Sequence, residues 1–418
     1  MRDETFENIR YHGLKSPLRV ACPDVVRPLL DPILKAWPSM VDSDDPANAA
    51  PFATLGPCEN GRWSLEAPMA QNPIARHNPV NAICDLVVEM SWERLRSRPE
   101  LLCLHAAALT FGDRLVIFPN ARRAGKSLLS ATLSQLGHGV FSDDFVPLAV
   151  DAETQVISGI ANGIAPRLRL PVPDNLSASL DAWITDRIGP ANRQYGYLTG
   201  IDLPQSGTSA PVGAVVVLQR DPDLAEPASL TPVSQDEAMA ALVMQNFGRQ
   251  VHAGAILTVT DALTRSVPVL RLRYNAVEEA AALLSQSPLL RDLPAARMPK
   301  IGQTGTLPLA SLDVAQVQLS APVDLVQTFD KLPGYTEIET EAGLYLADGS
   351  GVAIHRLNSV STVIWRLLDD PLSGADMVGV MQEIYPDIAG DRLHVDVQGA
   401  LRFLIQQRLI AIAAGGAV

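Results

Sequence analysis

The hydrophobic residues of this chain follow helical spacing in some stretches and strand-like spacing in others. Between Asn81 and Arg96 apolar residues recur with helical spacing, which predicts an amphipathic helix. The stretch LLCLHAAALTFGDRLVIFP then predicts two strands joined by a turn at Gly112-Asp113. The continuous apolar run GAVVVLQR, at 213–220, predicts a strand that is buried on both faces. Strands and helices in this order are typical of an α/β domain.

Two more helices are predicted before the pattern weakens. Ser234 and Glu237 form the capping box of a helix in SQDEAMAALVMQNFG, and AVEEAAALLSQ predicts the next helix. The following stretch is rich in Pro, Gly, Thr, Gln and Ser and has little periodicity, which indicates a linker.

After this linker the pattern restarts. GLYLADGSGVAIHRL predicts a hairpin with Asp348-Gly349 at its turn. Three helices are then predicted, at 359–369, 373–385 and 391–407.

Two domains joined by a linker account for these patterns. A chain of 418 residues is too long for one ordinary hydrophobic core. The predicted division is a domain at 1–292 (an N-terminal part, 1–100, and a core, 101–292), a linker at 293–329 and a small domain at 330–418.

Composition and charge argue against several classes of function for this chain. Hydrophobic residues make up 47% and charged residues 19%, which is typical of a globular protein. The net charge is −13 and no basic run is present, so we expect no nucleic-acid partner. No stretch approaches the ~20 apolar residues of a membrane span, and MRDETFENIRYHG lacks the apolar core of a secretory signal. We therefore expect a cytoplasmic protein with no membrane partner.

The stretch RLVIFPNARRAGKSLLSATLSQL predicts a strand, a loop and a helix, which is the context of a phosphate-binding loop. Lys126 would supply charge to phosphate and Ser127 a hydroxyl to Mg²⁺. Asn120 stands where the usual pattern begins with Gly, and Asn tolerates a positive φ. An accidental Ala-Gly-Lys-Ser at a helix start is the alternative. The predicted nucleotide-binding residues are Asn120, Arg122, Arg123, Ala124, Gly125, Lys126, Ser127 and Leu128.

Two adjacent aspartates, Asp143 and Asp144, follow a short strand that ends at Ser142. The helix between the loop and this strand has the length needed to return the chain to the sheet beside the loop. One carboxylate can hold Mg²⁺ while the other accepts a proton from an attacking hydroxyl, which favours a kinase over a plain ATPase. Adjacency alone does not say which aspartate has which role, and an exposed acidic turn is the alternative.

These residues together resemble the HPr kinase-like fold, in which a strand bearing a histidine precedes the phosphate loop and an Asp-Asp pair follows one helix later. The resemblance implies an α/β P-loop kinase that uses ATP and Mg²⁺. It also implies that His105 lies near the γ-phosphate and that Ser127 and Asp143 are the metal ligands. Leu128 departs from the family, whose kinases have Glu there. Arg167 and Arg169, in RLRLP, either neutralise phosphate or face solvent.

The C-terminal region resembles PqqD, a small winged-helix-like α+β domain that recognises leader peptides. The resemblance is carried by GVAIHRLNSVSTVIWRLLDD, the helix LSGADMVGVMQEIYP and a third helix that ends in RLI. In that family the leader adds as a strand to a sheet edge and packs against the third helix. The residues expected to bind peptide are Val352, Ile354, Arg356 and Leu401. A packing or dimerisation domain, in a homo-oligomer, is the alternative.

The two resemblances combined predict an ATP-dependent kinase that phosphorylates a Ser or Thr hydroxyl of a ribosomally synthesised precursor peptide, held through its leader by the C-terminal domain. A kinase for a free amino acid or another small hydroxyl compound remains open. So does a non-catalytic module in which nucleotide binding switches peptide binding.

Overall fold

A computed structural model describes residues 5–41, 50–58, 61–67, 76, 78–119, 125–247, 252–299 and 322–413. Four predicted loop residues (Asn120, Arg122, Arg123 and Ala124) and most of the predicted linker lie outside the described residues.

Ten helices are described. Their bounds are α1 Pro23–Ile33, α2 Pro79–Ser97, α3 Lys126–Gln135, α4 Ala178–Arg187, α5 Gln235–Met244, α6 Ala253–Ser266, α7 Val277–Gln286, α8 Ser359–Leu367, α9 Gly374–Ile384 and α10 Gly390–Gln406. A short 3₁₀ helix spans Pro288–Leu290.

Twenty-three strands are described. They are β1 Phe6–Tyr11, β2 Leu18–Ala21, β3 Ser39–Val41, β4 Ala53–Pro57, β5 Trp63–Glu66, β6 Leu102–Leu104, β7 Ala106–Phe111, β8 Arg114–Pro119, β9 Val140–Ser142, β10 Val146–Val150, β11 Ile157–Ile160, β12 Arg167–Arg169, β13 Ile188–Ala191, β14 Tyr195–Leu198, β15 Ser209–Arg220, β16 Ser229–Pro232, β17 Val269–Tyr274, β18 Thr328–Lys331, β19 Thr336–Thr340, β20 Gly343–Ala347, β21 Ile354–Leu357, β22 Leu372–Ser373 and β23 Ile410–Ile412.

The predicted elements of the large domain are present with small shifts in their ends. Asn78 accepts a hydrogen bond from the Asn81 N–H at 3.0 Å and so caps α2. Gly112 has φ 61° in the β7–β8 turn. Ser234 accepts a bond from the Glu237 N–H at 3.3 Å, as the capping box predicts. The sequence did not indicate the twelve-residue length of β15, which begins at Ser209.

The chain divides into two compact units. The first contains residues 1–233, 240–249 and 262–300, and the second contains 234–239, 250–261 and 301–418. The second unit therefore includes the first residues of α5 and α6, which no pattern in the sequence indicated.

The first unit has two large sheets. The N-terminal sheet has the order β3-β1-β2-β4-β5, and its core includes residues of α1 and α2. The main sheet runs β6-β10-β11-β15-β8-β7-β9, and β17 pairs with β15. β8 and β17 are parallel to β15, whereas β7 is antiparallel to both β8 and β9.

The position of β7 differs from the expectation that the chain returns directly beside the phosphate loop. β7 lies between β8 and β9, with Ala106 opposite Pro119 and Ala108 opposite Ser142. Because β7 is antiparallel to its neighbours, its first residue lies beside the last residues of β8 and β9. The start of one strand and the ends of two others therefore meet at one edge of the sheet.

The second unit contains two three-stranded sheets, β22-β18-β23 and β19-β20-β21. β20 and β21 form the predicted hairpin, but six residues connect them, and the Asp348 carboxylate accepts N–H groups within this loop from Ser350 and Val352. Asn358 caps α8 by accepting from the Ser361 N–H at 2.8 Å. The sequence missed four strands here (β18, β19, β22 and β23). β18, β22 and β23 are short and pair with residues distant in the chain, whereas β19 forms a hairpin with β20 through a two-residue turn.

The hydrophobic core of the second unit lies between β20 and helices α8, α9 and α10. It includes Trp365, which is fully buried, and also Val323 and Leu325, which precede the predicted domain start. Leu401 is fully buried in this core. It therefore packs the core of the domain, and its role in peptide binding stays a prediction.

The opposite face of β19-β20-β21 packs against the first residues of α5 and α6. Ile354 contacts a cluster that includes Met239, Ala253 and Tyr345. On the same face Arg356 forms an ion pair with Asp236 at 2.8 Å. The side chains of Ile354 and Arg356 are thus engaged within the unit, and their role in peptide binding stays a prediction.

Candidate active site

The described part of the phosphate loop begins at Gly125, directly before α3. Gly125 has φ 85°, and a Cβ there would lie 2.7 Å from the Tyr274 hydroxyl. A side chain is therefore disfavoured both by backbone conformation and by space. Lys126 and Ser127 follow as the first two residues of α3, where helix N–H groups suit an anion.

The two aspartates lie in a tight turn between β9 and β10. The turn is held by the buried side chain of Asn162, whose amide donates to Ser142 Oγ at 2.9 Å and to the Phe145 carbonyl at 3.2 Å. Ser142 Oγ also donates to the Phe145 carbonyl. These bonds keep Asp143 and Asp144 at the sheet edge. No motif in the sequence pointed to Asn162.

Asp143 is the more buried of the two aspartates, with 6% of its surface exposed. Its Oδ2 accepts a hydrogen bond from the Arg167 backbone N–H at 3.2 Å. Its carboxylate also accepts a hydrogen bond from the Ser127 hydroxyl. Its Oδ1 is buried and has no hydrogen-bond partner among the described residues. Burial and the neighbouring charge of Asp144 raise the pKa of Asp143 to about 6.

Asp144 is more accessible, with 34% of its side chain exposed. Burial by itself would raise its pKa. A hydrogen bond from His105 and the charges of His105, Arg167 and Lys126 outweigh that effect and lower the pKa of Asp144 below its ordinary value. The pKa values of the two neighbouring carboxyls are therefore shifted in opposite directions from the same ordinary value.

His105 reaches Asp144 because it lies between β6 and β7, at the edge where β8 and β9 end. Its Nε2 lies 2.8 Å from Asp144 Oδ1, and since a carboxylate only accepts, Nε2 is the donor. The His105 backbone N–H donates to the Gln245 carbonyl at 2.7 Å. The sequence predicted the histidine but not Gln245, because a backbone carbonyl leaves no trace in residue identity.

Arg167 and Arg169 lie on the same strand, β12, but only one reaches the aspartates. Arg167 Nη2 lies 3.4 Å from Asp144 Oδ2, and its guanidinium lies 4.9 Å from the centre of the Tyr195 ring. Arg169 is exposed, and it makes no ion pair among the described residues. Of the two alternatives for these arginines, Arg167 fits the charge-neutralising one and Arg169 fits the solvent-facing one.

A cavity opens beside the aspartates. Its walls combine polar side chains from Asp143, Asp144, Asn162 and Arg167 with apolar surface from Val87 and Ile164. Lys126 lies near both carboxylates, whose charges raise its pKa, although burial dominates and lowers it overall. The edge thus holds two carboxyl groups with opposite pKa shifts, a cation and space for a small group.

Neither a membrane helix nor a metal cluster is found in the described ranges. No helix there is both long and apolar enough to cross a bilayer. No group of three or more His, Cys, Asp or Glu side chains there is arranged to hold a metal ion. Any metal at this edge would therefore complete its coordination with hydroxyl, water or phosphate oxygens.

Comparison with known proteins gives partial structural likenesses and a family match. No curated protein matches the chain. A solved structure of the Hpr(Ser) kinase/phosphatase from Coxiella burnetii is 14% identical and covers 44% of this chain and 91% of its own, with a TM-score of 0.22. That score does not establish a shared fold. Residues 344–410 match the family described as coenzyme PQQ synthesis protein D (PqqD), so the C-terminal part of this mixed α/β chain is similar to a PqqD domain.

Proposed function

We propose that this chain is an ATP-dependent P-loop kinase of the HPr kinase-like type that phosphorylates a hydroxyl group of a ribosomally synthesised precursor peptide. The observation that carries the kinase assignment is the convergence of Lys126, Ser127, Asp143, Asp144 and His105 at one sheet edge. These residues come from three separate segments, and a phosphoryl-transfer site needs each of their chemical types.

The distinct environments of the two aspartates support distinct roles. Asp144 is ionised, accessible and oriented by His105, so we assign it as the base. In the proposed step the acceptor oxygen forms a bond to the γ-phosphorus, and the bond to the β–γ bridging oxygen breaks. The acceptor proton passes to the Asp144 carboxylate and the nucleoside diphosphate leaves. Lys126 stabilises the charge on the transferred group.

Asp143 and Ser127 fit a Mg²⁺ site. The buried Asp143 Oδ1 lacks a partner among the described residues, and a raised pKa marks a carboxyl whose charge lacks compensation. Carboxylate and hydroxyl oxygens are ligands that Mg²⁺ accepts, together with substrate phosphates. When bound, the ion would neutralise phosphate charge.

Peptide recognition is proposed for the PqqD-like region. In that family a leader peptide adds as a strand, and here the outer strand β21 lies next to α10, where the His355 and Phe403 rings are 5.4 Å apart. We propose that the groove runs between β21 and α10, with Val352, which is 60% exposed, at its entrance. A bound leader would raise the local concentration of the acceptor.

The decisive experiment incubates the full chain with ATP, Mg²⁺ and each short peptide encoded beside its gene, followed by intact mass measurement. We expect a phosphate adduct on one peptide, and a much slower reaction when its N-terminal leader is removed. Phosphorylation of free serine or threonine at a comparable rate would favour the small-molecule kinase. Nucleotide binding with no transfer to any acceptor would favour the non-catalytic module.

This test uses the full chain for a structural reason. An isolated C-terminal fragment would lack residues 234–239 and 252–261, which cover one face of β19-β20-β21. A fragment beginning at 330 would also lose Val323 and Leu325 from its core.

A further inference from the structure

A second shallow cavity lies at the carboxyl ends of β15 and β17, away from the two aspartates. Apolar side chains and polar groups share its walls, as is common for sites that bind a ring system with polar edges. Its lining includes Leu128, Leu176, Arg220, Asn275, Ala276 and Val277. Only Leu128 was expected from the sequence to contact nucleotide.

This cavity adjoins the phosphate loop directly. A Cβ on Gly125 would lie 3.7 Å from Arg220 Cδ and 2.7 Å from the Tyr274 hydroxyl. Arg220 therefore passes beside the start of α3. Its side chain is exposed, and it makes no hydrogen bond or ion pair with any residue that the structure describes. Its charge interacts with the Tyr274 hydroxyl, so an exposed cation lies beside Gly125.

The order of strands sets the direction in which a nucleotide can lie. β8, which leads into the loop, has β7 and β9 on one side and β15 on the other, followed by β17. The two aspartates follow β9. Arg220 is the last residue of β15, and Asn275 directly follows β17. The acidic groups and the second cavity are therefore on opposite sides of the loop, both at the ligand-binding edge of the sheet.

The chemistry of transfer selects between these two sides. In phosphoryl transfer the attacking and leaving oxygens lie roughly in line on opposite sides of the phosphorus. If the acceptor is next to Asp144, the leaving nucleoside diphosphate must extend away from it, toward β15 and β17. The positive charge of Arg220 suits a leaving diphosphate, and the Asn275 amide can donate to and accept from the edge of a base.

We propose that the cavity formed by Leu128, Leu176, Arg220, Asn275, Ala276 and Val277 binds the nucleoside of the triphosphate, with Arg220 on the leaving diphosphate. This inference rests on the proposed kinase function, because it takes the acceptor side from the role of Asp144. It adds a binding site on two strand ends that carry no recognisable nucleotide motif.

The test compares MgATP with magnesium tripolyphosphate, which carries the phosphates without a nucleoside. Ala276 is exposed and precedes α7 in an extended conformation that any residue tolerates. The variant Ala276→Trp should fill the cavity and weaken ATP binding by at least about tenfold, while leaving tripolyphosphate binding unchanged. Gln286→Trp, at the exposed far end of α7, is the matched control and should bind both ligands as the parent does.

Two further variants separate failure of this inference from failure of the kinase assignment. Arg220→Gln should weaken the binding of ATP, ADP and tripolyphosphate to a similar extent, because it removes a contact with phosphate. If Ala276→Trp binds ATP as tightly as the parent, or loses both ligands equally, the nucleoside site is wrong. If Lys126→Ala leaves binding of both ligands and all transfer activity unchanged, the phosphate loop itself is wrong and the proposed function falls with it.

Discussion

Two largely buried aspartates in this molecule, one in each unit, differ in how fully their oxygens are satisfied. In the second unit Asp236 accepts from Arg356 at 3.1 and 2.8 Å and from the Thr340 hydroxyl at 3.1 Å. Both of its oxygens are bonded. In the first unit Asp143 has one oxygen without a described partner, and the charge of Asp144 helps to raise its pKa.

This difference is the one expected between a structural carboxylate and the metal ligand proposed for Asp143. An aspartate that holds a fold together is stabilised by its partners, and removing its charge costs stability. An aspartate that awaits a cation destabilises the ligand-free protein, so removing its charge should do the opposite. The same substitution, Asp to Asn, is therefore expected to have opposite signs at the two positions.

The largest effect should come from Lys126, whose charge interacts with both Asp143 and Asp144. Lys126→Ala should lower phosphoryl transfer by about 10³-fold, because the charge on the transferring group is no longer stabilised. Single-turnover transfer of labelled phosphate measures this loss, and circular dichroism checks that the fold is intact. A loss smaller than about tenfold, or roughly 1.4 kcal/mol of barrier, would contradict the phosphate-loop assignment.

Asp143→Asn should stabilise the protein when metal is chelated. The folded pKa of about 6 exceeds the ordinary 3.8, so the carboxyl contributes stability below its ordinary pKa and loses it as the pH rises through about 6. At pH 8 the parent protein is then destabilised by at most about 3 kcal/mol, which the amide avoids.

Thermal unfolding in EDTA at pH 5 and pH 8 tests this sign. The stability advantage of Asp143→Asn should be larger at pH 8, and excess Mg²⁺ should reduce it by stabilising only the parent. An advantage that does not depend on pH or Mg²⁺ would show that Asp143 is not the uncompensated charge.

Asp144→Asn should separate nucleotide binding from transfer. The amide keeps the shape of the carboxylate but cannot accept the acceptor proton, so turnover should fall by about 10²-fold while ATP affinity changes little. Stopped transfer assays and calorimetric ATP titration measure the two quantities. Normal turnover in both Asp144→Asn and Asp143→Asn would rule out a catalytic role for the acidic pair.

Arg167→Ala should change the pH profile of the reaction. The charge of Arg167 helps to lower the pKa of Asp144, so its loss should raise that pKa and move the acidic limb of turnover to higher pH. Arg169→Ala, two residues along the same strand but exposed, is the control and should leave the profile in place. Equal shifts in both variants would point to a general charge effect.

The smallest effect is expected at Asp236, where the change in the free energy of unfolding should have the opposite sign to that at Asp143. Asp236→Asn should destabilise the protein by about 1 kcal/mol, a modest amount because its partner Arg356 is half exposed. Urea unfolding at pH 7 measures this change, and raised salt should shrink it. If the variant is instead stabilised, as expected for Asp143→Asn, the distinction between the two aspartates fails.

The local elements of this protein could be predicted from its sequence because their signals are short-range. Helix α2 and the β7–β8 hairpin follow from periodicity and turn residues, and the cap at Ser234 follows from the spacing of its capping box. The candidate motif residues could also be named, because Gly-Lys-Ser and Asp-Asp are each contiguous in the chain. The position of β7 could not be predicted, because it depends on the order of strands in the sheet. That position is what brings His105 to Asp144.

Features that depend on contacts between residues distant in the sequence could not be predicted from any local pattern. Nothing in RLRLP distinguishes Arg167 from Arg169, since only the placement of β12 brings one of them to Asp144. The segments around Asp236 and Ala253 read as ordinary helices, yet they belong to the C-terminal unit. The opposite pKa shifts of Asp143 and Asp144 arise from burial and from neighbours far away in sequence. Residue type sets what a side chain can do, whereas its neighbours in space set which of those roles it takes.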